Sequence, residues 1–450
     1  MIQWSTPHDQ VNDCRLNNEY RSNEHKVIPA KLDPRPEIEV SNGDILITRA
    51  GPMSRVGVSC WVKDTPPRLM LSDKIVRFQA VADEMLPAFI VLSLNAGWTK
   101  IQIESVKTGM AASQVNISQS DLKALWLPIC SKSEQSRIVA RVEELMCLCD
   151  ALEARGKLDA VQHAQLVRTL LGTLTDSASP AELAANWQRV AEHFDLLLDR
   201  PEAVDALEQT ILQLAVRGLL VPQDPSDEPA SVLLQKIRAE KDRLIAEGKI
   251  KRDKPLPPIT DEEKPFELPV GWEWARFGDV SVNRDAERIP VSSSDRERRE
   301  KIYDYYGASG VIDKIDGYLF DKTLLLIGED GANLLNRSTP IAFLAYGKYW
   351  VNNHAHVIDA TEQGLLDYLA LFINAISLEP YVTGTAQPKM NQAKLNSIPM
   401  ALPPFTEQSR IVARVAELRQ LCSDLRQRLT ASRTAQGHLA QALVDAAGAA

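Results

Sequence analysis

The chain has 450 residues, 44% of them apolar, which predicts roughly two to four globular domains with cores of their own. With 51 Lys and Arg against 60 Asp and Glu, the net charge of −9 argues against a uniformly basic nucleic-acid coat and against attraction to an anionic membrane. The six cysteines form no CxxC pair, and no apolar run approaches the ~20 residues of a membrane helix, so we expect a cytoplasmic protein that makes no membrane contact.

Residues 1–128 have the pattern of a mixed α/β domain. A β-rich run covers Asp44 to Thr48, a helix-like stretch covers 87–95, and Gly and Asn turns separate them. Near its end the domain carries the segment Thr108-Gly109-x-Ala111-x4-Asn116. We expect this domain to end at Pro128.

Residues 129–220 are predicted to form a helical spacer. Apolar side chains recur with steps of four and three residues, at Ile138, Val142, Leu145, Cys149 and Leu152. This 3.5-residue period predicts a coiled coil, although an amphipathic helix on a globular core remains an alternative. We expect Ser133 to be the N-cap of this helix. Two further apolar faces, within 187–197 and 204–214, predict helices that run back along the first.

Residues 221–266 are predicted to form one charged helix, from Pro229 to about Gly248, and a proline-rich linker. A second mixed α/β domain follows at 267–404, opening near Gly271-Trp272-Glu273-Trp274. Its β-rich runs cover 324–327 and 341–344, and a helix-like stretch covers 365–376. It ends with Thr383-Gly384-x-Ala386-x4-Asn391, a repeat of the segment in the first domain.

The C-terminal region, 405–450, repeats the first spacer helix. Residues 134–142 and 407–415 are both EQSRIVARV, and the windows 134–155 and 407–428 are identical at 15 of 22 positions. The apolar period also recurs, at Ile411, Val415, Leu418, Cys422 and Leu425, with Thr406 as the expected N-cap. The chain therefore contains two copies of a domain-then-helix unit.

The order of these segments resembles the specificity subunit of Type I restriction-modification systems. The resemblance depends on the duplicated EQ-x-RIV helix after Leu-Pro, the ELPVGWEW linker and the two variable domains, and it covers nearly the whole chain. It implies an α/β (mixed α+β) fold: two α/β target-recognition domains separated by long antiparallel coiled-coil helices, with a pseudo-twofold repeat. One departure is that the GWEW anchor lies 112 residues before Thr383, whereas its counterpart before Thr108 would fall near position −4. Divergence, an upstream start and a shortened natural form all remain open.

The resemblance also implies a function and partners. Each recognition domain would read one half of a bipartite, asymmetric site in double-stranded DNA. The helices would dock two methyltransferase subunits, to which restriction subunits attach. The chain itself would be non-catalytic and without a cofactor, and S-adenosylmethionine, ATP and Mg would be bound by the partner subunits.

Local charge decides where DNA could be held. Residues 1–128 are neutral, 129–265 carry −6, 266–404 carry −5 and 405–450 carry +2. Because phosphate contacts supply much of the affinity and base-edge contacts the sequence choice, we look for local clusters of basic and amide side chains. The candidates are Arg49, Arg55, Arg68, Lys74, Lys107, Gln114 and Asn116 in the first domain, and Arg284, Arg288, Arg296, Arg298, Arg299, Lys301, Tyr303, Gln387, Lys389 and Asn391 in the second. Solvated charged turns, and helix capping by Asn116 and Asn391, are the alternatives.

Catalytic and metal motifs are weak in this sequence. Leu402-Pro403-Pro404-Phe405 is the nearest approach to an amino-methyltransferase loop, but Leu402 replaces the residue that would bind the amine. No G-x4-G-K-[ST] loop is present, and His354 and His356 have no nearby Cys or His partner in the sequence, so we predict neither a catalytic nor a metal site. A coiled-coil adaptor without DNA specificity and a self-contained DNA-modifying enzyme remain the competing functions.

Overall fold

A computed structural model describes residues 5–7, 25–27, 35–81, 84–177, 179–252, 254–384 and 387–449. Much of the N-terminal part of the first predicted domain, 8–24 and 28–34, lies outside the described residues, as does Ala386 of the repeated segment. The chain divides into two compact units, 1–160 and 161–450, which we describe one at a time. None of the helices among the described residues is both long and apolar enough to cross a membrane.

A three-stranded antiparallel sheet forms the core of the first unit, with β3 between β5 and β6. The strands of this unit are β1 (Ser5–Pro7), β2 (His25–Val27), β3 (Ile45–Thr48), β4 (Ala50–Gly51), β5 (Ser59–Trp61), β6 (Ile75–Phe78), β7 (Thr108–Ala111) and β8 (Gln114–Asn116), and its helices are α1 (Pro87–Asn95), α2 (Gly97–Ser105) and α3 (Gln119–Lys123). Ile45 and Ile47 pack against the helices, whereas Leu46 packs into a second cluster on the other face. Burial of both faces explains why β3 is a continuous apolar run rather than an alternating one.

Helix α4 (Lys132–Thr175) is 44 residues long, which corresponds to roughly 66 Å. It begins one residue before Ser133, so the predicted N-cap was wrong. The hydroxyl of Ser131 instead accepts a hydrogen bond from the backbone N–H of Glu134, at 3.4 Å. The likeness of neighbouring serines in the sequence made the position ambiguous.

The second unit begins with a helical layer formed by α5 (Pro180–Glu192), α6 (Phe194–Leu197), α7 (Pro201–Val216) and α8 (Ala230–Ala246). The predicted apolar face of α7 is buried at Val204, Leu207, Ile211 and Leu214. The helix ends before Gly218, whose φ of +72° is accessible to glycine at little cost. The spacer helices were thus correctly predicted as helices.

Two four-stranded sheets, with orders β10-β17-β14-β15 and β12-β11-β16-β13, form the α/β part of the second unit. In chain order its elements are β9 (Glu273–Arg276), α9 (Phe277–Val280), β10 (Val282–Asn283), α10 (Ser293–Glu297), β11 (Tyr303–Gly307), β12 (Gly310–Ile315), β13 (Phe320–Asp321), β14 (Leu324–Gly328), α11 (Asn333–Asn336), β15 (Ala342–Ala345), β16 (Lys348–Val351), β17 (Ala355–Asp359), α12 (Gln363–Ala375), α13 (Gln392–Asn396), β18 (Pro399–Leu402) and α14 (Phe405–Ala449); short 3-10 helices cover Pro36–Ile38 in the first unit and Asp261–Glu263, Asp285–Glu287 and Glu379–Tyr381 in the second. Strands β14 and β17 are fully buried because α12 covers one face and the aromatic cluster around Tyr349 the other.

The two ends of the second domain pair with each other. Strand β9, which carries Trp274, is antiparallel to β18, and Ala401 lies opposite Trp274. Helix α14 starts directly after β18 and packs against α7 and α12. Thr406 lies inside this helix and donates to the carboxylate of Asp227, so its predicted role as N-cap was also wrong.

Both units combine sheets with helices, so the mixed α/β class is confirmed. The β-rich runs and the helix-like stretches predicted in each domain correspond to β3, β14, β15, α1 and α12.

Candidate nucleic-acid interface

The basic candidates of the first domain differ in exposure. Among Arg49, Arg55, Arg68, Lys74 and Lys107, only Arg68 and Lys74 are exposed. Arg49 Nε donates to the backbone carbonyl of Asp73 at 2.8 Å, and Lys107 Nζ lies 2.7 Å from the carboxylate of Glu104. Arg68 and Lys74 are therefore the cations of this set that are most accessible to a phosphate.

Most basic candidates of the second domain already bind a carboxylate of the same domain. The contacts are Arg284 with Asp359 at 2.7 Å, Arg288 with Glu329 at 2.8 Å, Arg296 and Lys301 with Asp313 at 2.8 Å each, and Arg299 with Asp316 at 2.6 Å. The hydrogen bonds from Lys301 and Arg296 hold the pKa of Asp313 well below its usual value. Arg298 is exposed and forms no ion pair with any residue that the structure describes. DNA phosphates would thus compete with internal carboxylates for every cation of this set except Arg298.

The aromatic candidate Tyr303 is half-buried, and its ring contacts the ring of Tyr318 edge-on, with centroids 5.2 Å apart. Two arginines of the same cluster also lie over rings. The guanidinium of Arg296 is 4.5 Å from the ring centre of Tyr305, and that of Arg299 is 5.2 Å from the ring centre of Trp350. These stacking contacts orient the guanidinium groups and leave little of the rings for a DNA base.

The repeated T-G segments form similar β-hairpins in the two units. In each, the threonine hydroxyl donates to a carbonyl across the hairpin at 3.2 Å, from Thr108 to Asn116 and from Thr383 to Lys389. A Cβ on Gly109 would lie 2.5 Å from a backbone oxygen, and a Cβ on Gly384 would lie 2.7 Å from one. The glycines are therefore required by the close approach of the two arms.

The hairpins correct the register of the repeat. The sequence pattern aligns Asn116 with Asn391, but Asn116 occupies the hairpin position of Lys389. The N-cap of α3 is Ser118, which accepts from the N–H of Asp121 at 3.0 Å, and the N-cap of α13 is Asn391, which accepts from Lys394 at 3.0 Å. Capping by Asn391 is thus correct and capping by Asn116 is wrong, because the first hairpin is two residues longer. Gln114, Asn116, Gln387, Lys389 and Asn391 are all exposed.

A buried ionic cluster lies beneath the second hairpin, and the sequence gave no direct signal for it. His356 Nδ1 is 2.6 Å from Asp285 Oδ2, and its Nε2 is 2.8 Å from the carbonyl oxygen of Met390. Glu329 binds Arg288 at 2.8 Å and Lys389 at 3.1 Å. The alternation of His354 and His356 along β17 was visible, but its partners come from distant parts of the chain.

The same cluster has the composition of a cation site. Ligand atoms of Asp285, Glu329 and His356 lie within 4.8 Å of one another. However, both ring nitrogens of His356 already bind protein atoms, and Arg288 and Lys389 supply positive charge to the carboxylates. These contacts favour an ion-pair network over a metal centre.

Glu407, the first residue of the repeated EQ motif in α14, is buried and binds the GWEW anchor. The indole N–H of Trp272 donates to Glu407 Oε2 at 3.0 Å. Burial raises the pKa of Glu407, and the hydrogen bonds from Trp272 and Gln223 only partly offset this effect. The corresponding Glu134 of α4 is exposed.

The glutamine of the EQ motif has the same role in both copies. Gln135 and Gln408 are buried, and each donates from Nε2 to a carbonyl five residues earlier, Cys130 at 2.9 Å and Pro403 at 3.0 Å. Gln135 also accepts from the N–H of Leu86 at 2.8 Å, which ties α4 to the start of α1. The motif therefore attaches each long helix to the domain before it.

The predicted packing residues of the two long helices lie in different environments. In α14, Ile411, Val415 and Cys422 are buried, and Leu418 and Leu425 are partly buried against the helical core. In α4, Ile138 and Val142 are half-buried, whereas Leu145, Cys149 and Leu152 are exposed. The packing role of the α4 residues stays a prediction.

Comparisons with solved structures give two alignments over most of the chain. A chain from a type I R-M system, described for its complex assembly and conformational transition, aligns with a TM-score of 0.49 and 16% identity, covering 99% of this chain and 90% of its own length. The HsdS subunit from Thermoanaerobacter tengcongensis aligns with a TM-score of 0.42, 16% identity and the same coverage.

Sequence comparisons are more specific. Residues 269–432 match the family described as the Type I restriction modification DNA specificity domain. The Type I restriction enzyme EcoEI specificity subunit of Escherichia coli is 37% identical over 392 residues, which are 82% of this chain and 66% of that subunit. The EcoAI specificity subunit of the same species is 38% identical over 365 residues, 76% of this chain and 61% of that subunit. This chain spans less than two thirds of either relative's length. The chain belongs to the family of Type I restriction enzyme specificity subunits.

Proposed function

We propose that the chain is the DNA sequence-specificity subunit of a Type I restriction-modification complex. In this proposal, the domains at 1–128 and 267–404 each recognise one half of a bipartite, asymmetric DNA target. The chain docks two methyltransferase subunits, and restriction subunits join in the full complex. It catalyses no reaction itself, and it works in the cytoplasm.

The duplication is the observation that supports this proposal best. Two domains with different sequences are each followed by the same EQ helix, and the buried Gln135 and Gln408 attach both helices in the same way. Different domains on a repeated attachment are what two different half-sites require. By contrast, an adaptor that binds only protein has no use for two divergent domains with repeated hairpins.

The cofactors of the reaction are assigned to the partners. S-adenosylmethionine, ATP and Mg would be bound by the methyltransferase and restriction subunits. A self-contained DNA-modifying enzyme would need a methyl-donor site within this chain, and its sequence contains neither that motif nor a phosphate-binding loop.

The ion pairs of the second domain explain why affinity should depend on the complex. The basic candidates other than Arg298 are neutralised by nearby carboxylates, and residues 266–404 carry a net charge of −5. Since phosphate neutralisation supplies most non-specific affinity, this chain alone should bind DNA weakly. The complex should bind it well.

Methylome sequencing tests the function. Cells that express the cognate methyltransferase subunit are compared with and without this chain. We expect methylation at one bipartite motif only when the chain is present. Methylation that does not change when the chain is removed would rule out a specificity subunit.

Arg298 offers a sharper test of the DNA surface. For the reconstituted complex, Arg298→Ala should reduce the slope of log affinity against log salt by about one, the value of one lost phosphate contact. Arg433→Ala removes an exposed arginine of α14, which lies 3.6 Å from Glu202, and serves as the matched control with an unchanged slope. Equal slopes for both variants would remove Arg298 from the interface.

The spacer makes a prediction about the target. Helix α4 is continuous through 156–165, so four added residues there lengthen it by roughly 6 Å, the rise of about two base pairs. We expect the non-specific gap of the methylated motif to lengthen by a similar amount. An unchanged gap would refute a spacer role for this helix.

A further inference from the structure

The second hairpin, 383–389, is attached to the domain through the strand end that follows β14. The N–H of Met390 donates to the carbonyl of Glu329 at 2.8 Å, and the N–H of Gly331 donates to the carbonyl of Pro388 at 3.0 Å. The side chain of Glu329 also binds Lys389 on the exposed arm. The position of the hairpin therefore depends on the residues around Glu329.

His356 adds a contact that depends on a proton. Its Nε2 faces the carbonyl oxygen of Met390 at 2.8 Å, and a carbonyl can only accept. Its Nδ1 faces the carboxylate of Asp285 at 2.6 Å. Asp285 also accepts from the N–H of Val357 at 2.8 Å, as an ionised carboxylate does. With two acceptors and no donor around it, the imidazole ring forms both bonds only when both nitrogens are protonated.

We propose that His356, as a buried imidazolium, is a positioning residue that holds the hairpin 383–389 in its DNA-facing conformation. The proposal goes beyond the specificity function in assigning a protonation-dependent support to one recognition domain. Its DNA-binding consequence rests on that function, but its structural consequence does not.

Loss of the proton removes one bond. Because the ionised carboxylate of Asp285 retains the Nδ1 proton, the unprotonated nitrogen is Nε2, whose lone pair then faces the lone pairs of the Met390 carbonyl. The charged groups around the ring are Asp285 and Arg288 from the segment after β10, Glu329 after β14, and Lys389 on the hairpin. The two carboxylates stabilise the imidazolium, whereas the two cations compensate them.

The pKa values of the carboxylates agree with this arrangement. Burial raises the pKa of Asp285, but the hydrogen bond and charge of His356 outweigh it, so the pKa is lowered overall. The pKa of Glu329 is lowered as well, because Arg288, His356 and Lys389 outweigh its burial. Both carboxylates are thus ionised at neutral pH.

The hairpin has side chains that a DNA backbone could contact. Gln387 and Lys389 are exposed on it. A hairpin of the same construction occurs in the first unit, with the exposed Asn116 in the position of Lys389. Because the two domains differ elsewhere but share this element, it fits a task common to both half-sites, such as holding the phosphate backbone, better than base reading.

The first experiment needs no DNA. Hydrogen exchange of the full chain, followed by mass spectrometry and corrected for intrinsic rates, is compared between pH 6 and 9 for wild type, His356→Gln and His354→Gln. A glutamine at 356 retains an N–H that can reach the Met390 carbonyl and does not titrate. We expect peptides covering 383–391 to lose protection as pH rises in wild type and in His354→Gln, but not in His356→Gln. His354 is the matched control because it is exposed, two residues away, and paired with Asp330 at 2.7 Å. The same pH dependence in all three chains would overturn the proposal.

The second experiment uses the complex with methyltransferase subunits and a duplex that contains the methylated motif. Wild-type affinity should fall about fivefold more between pH 6 and 9 than that of His356→Gln, the effect of one hydrogen bond. His356→Asn retains only the contact with Asp285 and should bind weakly at both pH values. If wild type shows no preference for the motif at either pH while the exchange result holds, the specificity function fails and the positioning role stands. If the preference is present but His356→Gln keeps the wild-type pH slope, the positioning role fails.

Discussion

Replacement of Glu407 and of Glu134 by alanine should have very different effects, although both residues begin the same nine-residue sequence. Glu407 is buried and accepts from the Trp272 indole at 3.0 Å, so Glu407→Ala leaves a buried N–H unpaired. Such a loss costs about 1–3 kcal/mol, and the missing acidic residue in the first helical turn adds about 0.3–1 kcal/mol. Part of this cost is offset, because the wild-type carboxylate is itself penalised by burial. We therefore expect a net loss of about 2 kcal/mol. Glu134 is exposed, and Glu134→Ala should cost less than about 0.5 kcal/mol beyond the helix-end effect.

Scanning calorimetry of the full chain measures the difference. A loss of 2 kcal/mol lowers the melting temperature of a unit of this size by about 4–8 °C, and the control should shift it by about 1–2 °C. Glu407→Gln separates charge from contact, since it retains an acceptor for Trp272 and removes the buried charge. The pKa of folded Glu407 lies above its usual value of 4.5, so the wild-type residue stabilises the fold most below pH 4.5 and loses this contribution as pH rises. Glu407→Gln should accordingly gain on wild type as pH increases from 4 to 7. Equal melting shifts for the two alanine variants would refute the attachment of α14 through Glu407.

Three further predictions concern the cysteines, the hairpin glycine and the linker. In native labelling followed by peptide mass spectrometry, Cys149 should react much faster than Cys422 at the equivalent position, because Cys422 is buried and its thiol pKa is raised by burial; equal rates would contradict the difference between the two helices. Gly384→Ala should destabilise the second unit by more than about 1 kcal/mol, since a Cβ would lie 2.7 Å from a carbonyl at φ +86°, whereas Gly156→Ala in the open middle of α4 should stabilise by about 0.5–1 kcal/mol; thermal unfolding compares them, and a stable Gly384→Ala chain would rule out the close approach. Hydrogen bonds from an arginine lower the pKa of Glu263 to about 2, so its stabilising contribution is complete above pH 4.5 and lost as pH falls to about 2; the difference in urea midpoint between wild type and Glu263→Gln should shrink over that interval, and a constant difference would exclude this linkage.

The helices and the repeat could be predicted because their signals are local. The 3.5-residue period and the identical EQSRIVARV segments lie within one helix each, and the apolar runs at β3 and β14 contain no polar interruption. Helix starts were less accessible. Ser131 and Ser133 are both capable of capping α4, and the choice between them depends on a backbone conformation that composition does not specify.

The partners of the charged residues could not be predicted from spacing. Arg296 and Lys301 form an attractive basic cluster in the sequence, yet both bind Asp313, which lies across the β11–β12 hairpin. Likewise, His356 meets Asp285 only because β10 and β17 are neighbours in the sheet. Long-range pairing of this kind decides which cations remain available to DNA, and it depends on the tertiary fold.

The register of the repeated segment shows the limit of alignment within a chain. Asn116 and Asn391 are matched by the pattern, but the longer first hairpin moves the capping role to Ser118. A two-residue insertion in a hairpin costs little free energy and leaves no mark in a short motif. Only the hydrogen bonds of the two hairpins reveal which residues correspond.

Exchange of the second domain tests the central claim most directly. Residues 267–404 of this chain are replaced by the matching segment of another specificity subunit, such as the EcoAI subunit, and the methylated motif is sequenced in cells that express the cognate methyltransferase. The account predicts that one half of the bipartite motif changes while the other half and the gap remain. A motif that is unchanged, or one in which both halves change, would contradict the assignment of one half-site to each domain.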